Sequence, residues 1–170
     1  MPKHASFAVA VAAATLLLLP ALPGLGRAEA QMTMSLASAG RGGGVNAIIE
    51  GYHHSIEVPQ DALTARATGR RQHSPLTVTK TVDRATPLLY RAMSGSETIP
   101  SVTIRVPTSQ GRGGQPVIIT LTNARIVGIE SSAVDGTSLA REDVSFIYEK
   151  IKWASAEGGT EFEDSWRENR

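Results

Sequence analysis

Between Leu76 and Thr81 the chain alternates: Leu76 and Val78, with Val82 beyond them, lie on one side, and Thr77, Thr79 and Thr81 on the other. A period of two predicts a β-strand with one polar face. The period then changes. Thr86 stands where an N-cap hydroxyl is favoured, Pro87 occupies the first helical position, where its missing N–H costs nothing, and Gly95 lies where a left-handed residue ends a helix. The spacing predicts one short α-helix over about residues 86–94. A helix of that length is marginal alone, so Leu88, Leu89, Ala92 and Met93, following the Thr86–Pro87 start, are expected to hold it against a sheet.

The rest of the pattern is mostly strand. "QMTMSL" reads as a short first strand, "ASAGRGGG" (Ala37 to Gly44) as a glycine-rich loop, and "VNAIIEGYHHSIEVP" as a long strand ending at Pro59. The fifteen residues "QDALTARATGRRQHS" between Pro59 and Pro75 show no sustained period. A loop of that length points to a binding or contact role. Downstream, "SVTIRV", "PVIITLTNARIVGIES" and "EDVSFIYEKIKWAS" are strands joined by the Gly- or Ser-rich connections "PTSQGRGGQ" and "AVDGTS". "AEGG" is a hairpin turn after which "TEFEDSW" pairs back. In the last long strand Val144, Phe146 and Tyr148 share one face while Ile147, Ile151 and Trp153 share the other. Two apolar faces imply two covered faces, one against the helix or a second sheet, the other against a neighbouring subunit or the far side of a barrel. The fold class is mainly β, antiparallel by its short connections, with one helix.

The first thirty residues carry a pattern of another kind. Lys3, an apolar run from Phe7 to Leu19, Pro20 and Pro23, and the small-x-small site Ala28-Glu29-Ala30 have the layout of a cleaved secretory signal. Residues 1–30 are therefore read as a signal peptide and 31–170 as one domain, secreted or periplasmic. As a helix the apolar run rises only about 20 Å, short of the roughly 30 Å hydrocarbon core, so no stable membrane span is expected. A true start at Met32 or Met34 would instead leave the chain leaderless in the cytoplasm. The whole chain of 170 residues is 41% hydrophobic, enough for one ordinary core. Removing Lys3, Arg27 and Glu29 from its 17 basic and 16 acidic residues leaves 15 of each, which gives no pull toward nucleic acid. The absence of cysteine excludes a disulfide scaffold, a thiol nucleophile and Cys-ligated metal.

Candidate chemistry is sparse. His53 and His54 are adjacent, so on a strand they point to opposite faces, and no HxH or HExxH spacing exists. No metal and no cofactor is expected. There is no GxSxG elbow for a Ser/His/Asp triad, and neither "GRGGG" nor "GRGGQP" contains the GxxxxGK[ST] phosphate pattern. Arg66, Arg70 and Arg71 cluster in the long loop near His73, without interleaved aromatics, which suits a solvated loop or a subunit contact. Glu161, Glu163 and Asp164 are of the right charge to complement them across an interface. Trp153 and Trp166 read as core or interface anchors. Candidate subunit-interface residues are Arg66, Arg70, Arg71, His73 and Trp166.

Three separated motifs then resemble one family. "LTVTKTVDRATPLLYRAM" places a Thr-Lys, Asp, Thr-Pro, Leu and Ala pattern on Thr79, Lys80, Asp83, Thr86, Pro87, Leu89 and Ala92. A late strand pattern falls on Tyr148, Glu149, Lys150, Ile151 and Trp153, and a terminal one on Asp164, Ser165 and Trp166. Together, over about Ile49 to Asn169, they resemble the Hcp (haemolysin co-regulated protein) family of the bacterial type VI secretion system. The resemblance implies an antiparallel two-sheet β-barrel with one short helix on its side. It also implies a hexameric ring able to stack into a hollow tube, contacts with type VI secretion components, effector cargo in the lumen, and no catalysis. Two features depart from the pattern: the signal peptide, and the short "ASAGRGGGV" between the first two strands. A chain starting at Met32 or Met34 would be made in the cytoplasm and leave through a type VI apparatus. The rival functional readings are an exported monomeric binding module on the same fold and, last, a hydrolase using His53 or His54.

Overall fold

The computed structural model describes residues 31–37, 44–108, 115–133, 139–156 and 158–166. The expected signal peptide and residues 38–43 of the glycine-rich loop lie outside them, as do the cores of the "GRGGQP" and "AVDGTS" connections. The strands are β1 (Thr33–Leu36), β2 (Val45–Ile48), β3 (Gly51–His53), β4 (Ile56–Glu57), β5 (Gln72–His73), β6 (Leu76–Thr81), β7 (Ile99–Val106), β8 (Val117–Ser132), β9 (Arg141–Ile147), β10 (Lys150–Ser155) and β11 (Glu161–Ser165). The helix α1 spans Thr86–Ser94. All pairings are antiparallel, as the short connections demand. Among the described residues nine strands form one folded sheet. Its first half runs β2-β1-β7-β8-β10-β11 and its second β8-β9-β6-β3, so β8 belongs to both. The inward residues of the two halves, among them Met34, Ile104, Ile119, Leu121, Val78, Val144 and Phe146, meet in a single core.

The chain turns from one half to the other at two corners. At the first, the Ile49 N–H donates to Met32 O in the first half, and the next amide, of Glu50, donates to Thr79 O in the second. The expected long strand over 45–59 is three short ones, since a break at His54 and Ser55 separates β3 from β4 and this corner separates β2 from β3. The barrel ladder stays open here, since β2 and β3 are the ends of the strand order and are joined by chain rather than by pairing. At the second corner Asn123 adopts a left-handed φ of 51°, a conformation its short amide side chain tolerates, and donates to Glu149 Oε2 at 2.6 Å. Strands that switch sheets do so through such bends. Inward parity flips across it in both partners: Ile119 and Leu121 give way to Ala124 and Ile126 on β8, and Val144, Phe146 and Tyr148 give way to Ile151 on the neighbouring strand. The two apolar faces read in "EDVSFIYEKIKW" are thus largely one face, seen before and after a bend, with Ile147 left outside it.

Helix α1 packs on β8 through Leu89, which is fully buried, with Ala92 and Met93 against the same core. Leu88 is half-buried and Pro87 is exposed, so Pro87 serves the helix start and not its packing. Thr86 begins the helix without capping it. Ala85 stands at the cap position with no side-chain bond, because the Thr86 hydroxyl is directed to Glu142 Oε1 at 2.8 Å and accepts from the Asp83 N–H. The C-terminal end also differs from expectation. Gly95 has φ −79°, and Ser96, at φ 49°, is the left-handed residue. Ser96 N–H bonds to Met93 O and Glu97 N–H to Ala92 O, the paired bonds of a Schellman ending. A Cβ on Gly95 would approach Arg91 O to 3.3 Å, so the glycine answers crowding more than torsion. Among the described residues no helix is long and apolar enough to cross a membrane.

The long loop is an ordered hairpin arm. β4 and β5 pair only with each other, a bridge joins Gln60 to Ala67, and Thr68 N–H bonds to Pro59 O. At its tip the Asp61 carboxylate accepts from the Leu63 and Thr64 amides and the Thr64 hydroxyl, at 3.1, 2.8 and 2.8 Å, which holds its pKa below the ordinary carboxylate value. Leu63, on that turn, is 95% exposed.

Candidate functional site

Among the described residues two polar clusters interrupt the apolar interior. The first surrounds Lys80, whose position on β6 shares inward parity with Leu76 and Val78, directly opposite Glu142 on β9. Both side chains are fully buried. The Lys80 ammonium spends its three hydrogens on Glu142 Oε1 (2.9 Å), Asp83 Oδ1 (2.9 Å) and Thr81 O (2.6 Å), and the Thr86 hydroxyl adds a donor to the same Glu142 oxygen. Such hydrogen bonds offset the desolvation cost of a buried ion pair, here through Glu142 Oε1, while the buried Oε2 has no hydrogen-bond partner. Burial works to raise the Asp83 carboxyl, but the Lys80 ammonium and the Ala85 N–H hold it below the ordinary value of 3.8. The cluster locks β6, β9 and the start of α1 together.

The second cluster lies where the arm meets the barrel. Tyr148, at the β8–β9–β10 corner, takes His54 Nε2 at 2.6 Å and His73 Nδ1 at 3.0 Å on one hydroxyl. His73, 1% exposed, turns its Nε2 to Asp164 Oδ2 at 3.3 Å, and Arg71 donates to Asp164 Oδ1 at 3.1 Å. Trp166 stands edge-on to Tyr148, with ring centroids 5.3 Å apart, and Trp153 and Tyr52 continue the aromatic wall. Burial, then the charges of His73 and His53, push His54 down to about 4. Burial and the Asp164 charge push the Tyr148 hydroxyl well above its ordinary value, so it stays protonated.

Of the residues named from sequence, Arg71, His73 and Trp166 therefore converge within one chain, around Asp164 and Tyr148, while Arg66 and Arg70 stay exposed on the arm. Glu161 and Glu163 pair with Lys152 and Lys150 of the adjacent strand. His53 is exposed and His54 turns inward, as adjacent strand residues must. Among the described residues no group of three His, Asp or Glu could hold a metal ion. Sequence reasoning missed Glu142 and the hub role of Tyr148. The parity of Lys80 and Glu142, charges standing among inward apolar positions, was the available signal for the first pair; Val82, placed on that face, lies beyond the strand and is 39% exposed.

A family model described as the type VI secretion system effector Hcp matches residues 45–154. The chain belongs to the Hcp family. The "Major exported protein" of Pseudomonas aeruginosa is 32% identical over 128 residues, covering 71% of this chain and 74% of that one. Among solved structures, the secreted protein Hcp3 from Pseudomonas aeruginosa superposes with a TM-score of 0.66 at 25% identity, covering 81% of this chain and 98% of its own. Hcp1 from an E. coli EAEC 042 pathovar gives 0.65 at 23% identity over 80% and 98%, a likeness of fold. In Hcp terms, Lys80, Asp83 and Thr86 of the first motif build the Lys80 cluster, while Thr79 faces the other way and donates to Asp143 Oδ1. The motifs carried by Tyr148 and Trp153 and by Asp164 and Trp166 meet in the second cluster, though ten residues separate them in sequence.

Proposed function

We propose that this Hcp chain is a structural subunit that forms hexameric rings, stacks them into a hollow tube with type VI secretion components, and carries effectors in the lumen. The observation that carries the reading is the arm. Its turn is stiffened by Asp61 and presents a bare leucine, Leu63, to solvent; a closed ring requires such a heterologous contact on each copy. Arg66 and Arg70 on the arm, with Arg71, His73 and Trp166 fixing its base, form the subunit-contact region. Residues 1–30 act as a cleaved leader, so the mature chain is secreted or periplasmic. No catalysis belongs to this reading.

Light scattering and electron microscopy of the exported protein, with N-terminal sequencing, test it. Rings of a chain beginning at Gln31 are expected, and Leu63→Asp should dissociate them. A strict monomer at high concentration would overturn the ring and favour a binding module. An intact Met1, or a start at Met32 or Met34 in the cytoplasm, would overturn the leader.

A further inference from the structure

The arm's two strands share no ladder with the barrel, so side chains tie it down, and four of those ties end on Tyr148 or Asp164. The neck itself is uncharged: Ser55 and Ser74 exchange backbone and hydroxyl bonds at 2.9 to 3.2 Å. The titratable groups are His54 before β4, His73 on β5, Tyr148 at the corner, and Asp164 on β11. His53 and Arg71 are the neighbouring charged or chargeable side chains.

Donor and acceptor arithmetic decides what this group can hold. With both imidazoles neutral, His73 carries its hydrogen on Nε2, 3.3 Å from Asp164 Oδ2 but out of line for a hydrogen bond, His73 Nδ1 accepts the Tyr148 hydrogen, and the Tyr148 oxygen accepts from His54 Nε2–H. A first proton is accommodated. If His73 takes it, its Nδ1–H turns to the Tyr148 oxygen, and the hydroxyl hydrogen swings to His54 Nε2 as the acceptor. A second proton is not accommodated. Both histidines then present N–H to the same oxygen, the Tyr148 hydrogen has no acceptor among them, and two cations face each other with ring centroids 6.1 Å apart.

We propose that His54, Tyr148 and His73 form an acid-opened clasp: the cluster holds the arm on the barrel with at most one proton, and the second proton releases it. The clasp stands on contacts within one chain. Its consequence for assembly, loss of arm-mediated contacts in acid, rests on the ring reading above. The depressed pKa of His54 places the weakening of the arm's attachment between pH 6.5 and about 4.

Hydrogen-exchange protection factors of the full chain between pH 7.5 and 4.5, with light scattering at each pH, test the clasp. Protection of arm amides at 56–73 should fall by up to tenfold per pH unit below 6.5, while β7 and β8 stay protected. His54→Gln, which keeps a neutral hydrogen-bonding group, should abolish most of that fall. Tyr148→Phe should loosen the arm already at pH 7.5, with a shallower pH dependence. Unchanged arm protection, an equal fall in His54→Gln, or a fall shared by β7 and β8 would overturn the clasp. An arm that opens in acid while rings persist would support the clasp and count against the arm as a ring contact. The β7 and β8 amides report whether either variant has failed to fold.

Discussion

Lys80 and Tyr148 each centre a polar cluster in the same barrel, yet one is sealed and the other stands at a seam. Around Lys80 the opposite charges are paired, and the structure closes over Lys80 and Glu142 while Asp83 stays 38% exposed at the rim. Around Tyr148 the charged group, Asp164, is shared by Arg71 and His73, and the remaining bonds depend on which imidazole nitrogen carries hydrogen. Location explains the contrast. The first cluster joins elements already held by ladders, so it can be permanent; the second joins an arm with no ladder of its own to the sheet. A permanent pair fixes structure, whereas a neutral relay between histidines makes attachment depend on pH.

The largest test of this contrast is Glu142→Ala, which strands a buried ammonium. It should cost about 3–5 kcal/mol in urea unfolding, and pairing Lys80→Met with Glu142→Leu should recover most of that. A loss under about 1 kcal/mol would mean that the cluster is not sealed. Tyr148→Phe should cost less, about 1–2 kcal/mol, because solvent can reach part of what it leaves unpaired. Stability against pH separates the clusters further. His54 has a folded pKa of about 4 against 6.5, so the unfolded chain binds its proton first; stability is full above 6.5 and falls as pH drops toward 4. Asp83 is held below 3.8, so its contribution is present above that value and lost as pH falls through the folded pKa. Wild type should decline in two steps, and His54→Gln should remove most of the upper one. The smallest effect belongs to Glu163→Gln on the exposed Lys150 pair, under about 0.5 kcal/mol by the same urea measurement.

The strands and helix were legible because burial writes a period into the sequence. Thr77, Thr79 and Thr81 face outward on β6 as the alternation requires, with Thr77 bonded to Ser145 across the strands at 2.9 Å. The corner was not legible, since a left-handed Asn123 inside a strand leaves no periodic mark. It converted one long strand into β9 and β10 and gathered two apparent faces into one core. The arm was legible only as a long connection, because two-residue strands are too short to show alternation. Local chemistry misled at the helix ends: Thr86 is a good cap residue by type, but Glu142, 56 residues away, competes for its hydroxyl. The second cluster required pairings that span 75 to 94 residues, which no local spacing reveals.

Strand β8 has a mechanical consequence. At 16 residues it is hydrogen-bonded to β7 on one side and to β10, then β9, on the other. Tension along it loads these ladders in shear, so many bonds must yield together, where peeling an edge strand breaks them one by one. A subunit built on such a spine resists being drawn out lengthwise, and its two halves should give way as a single event.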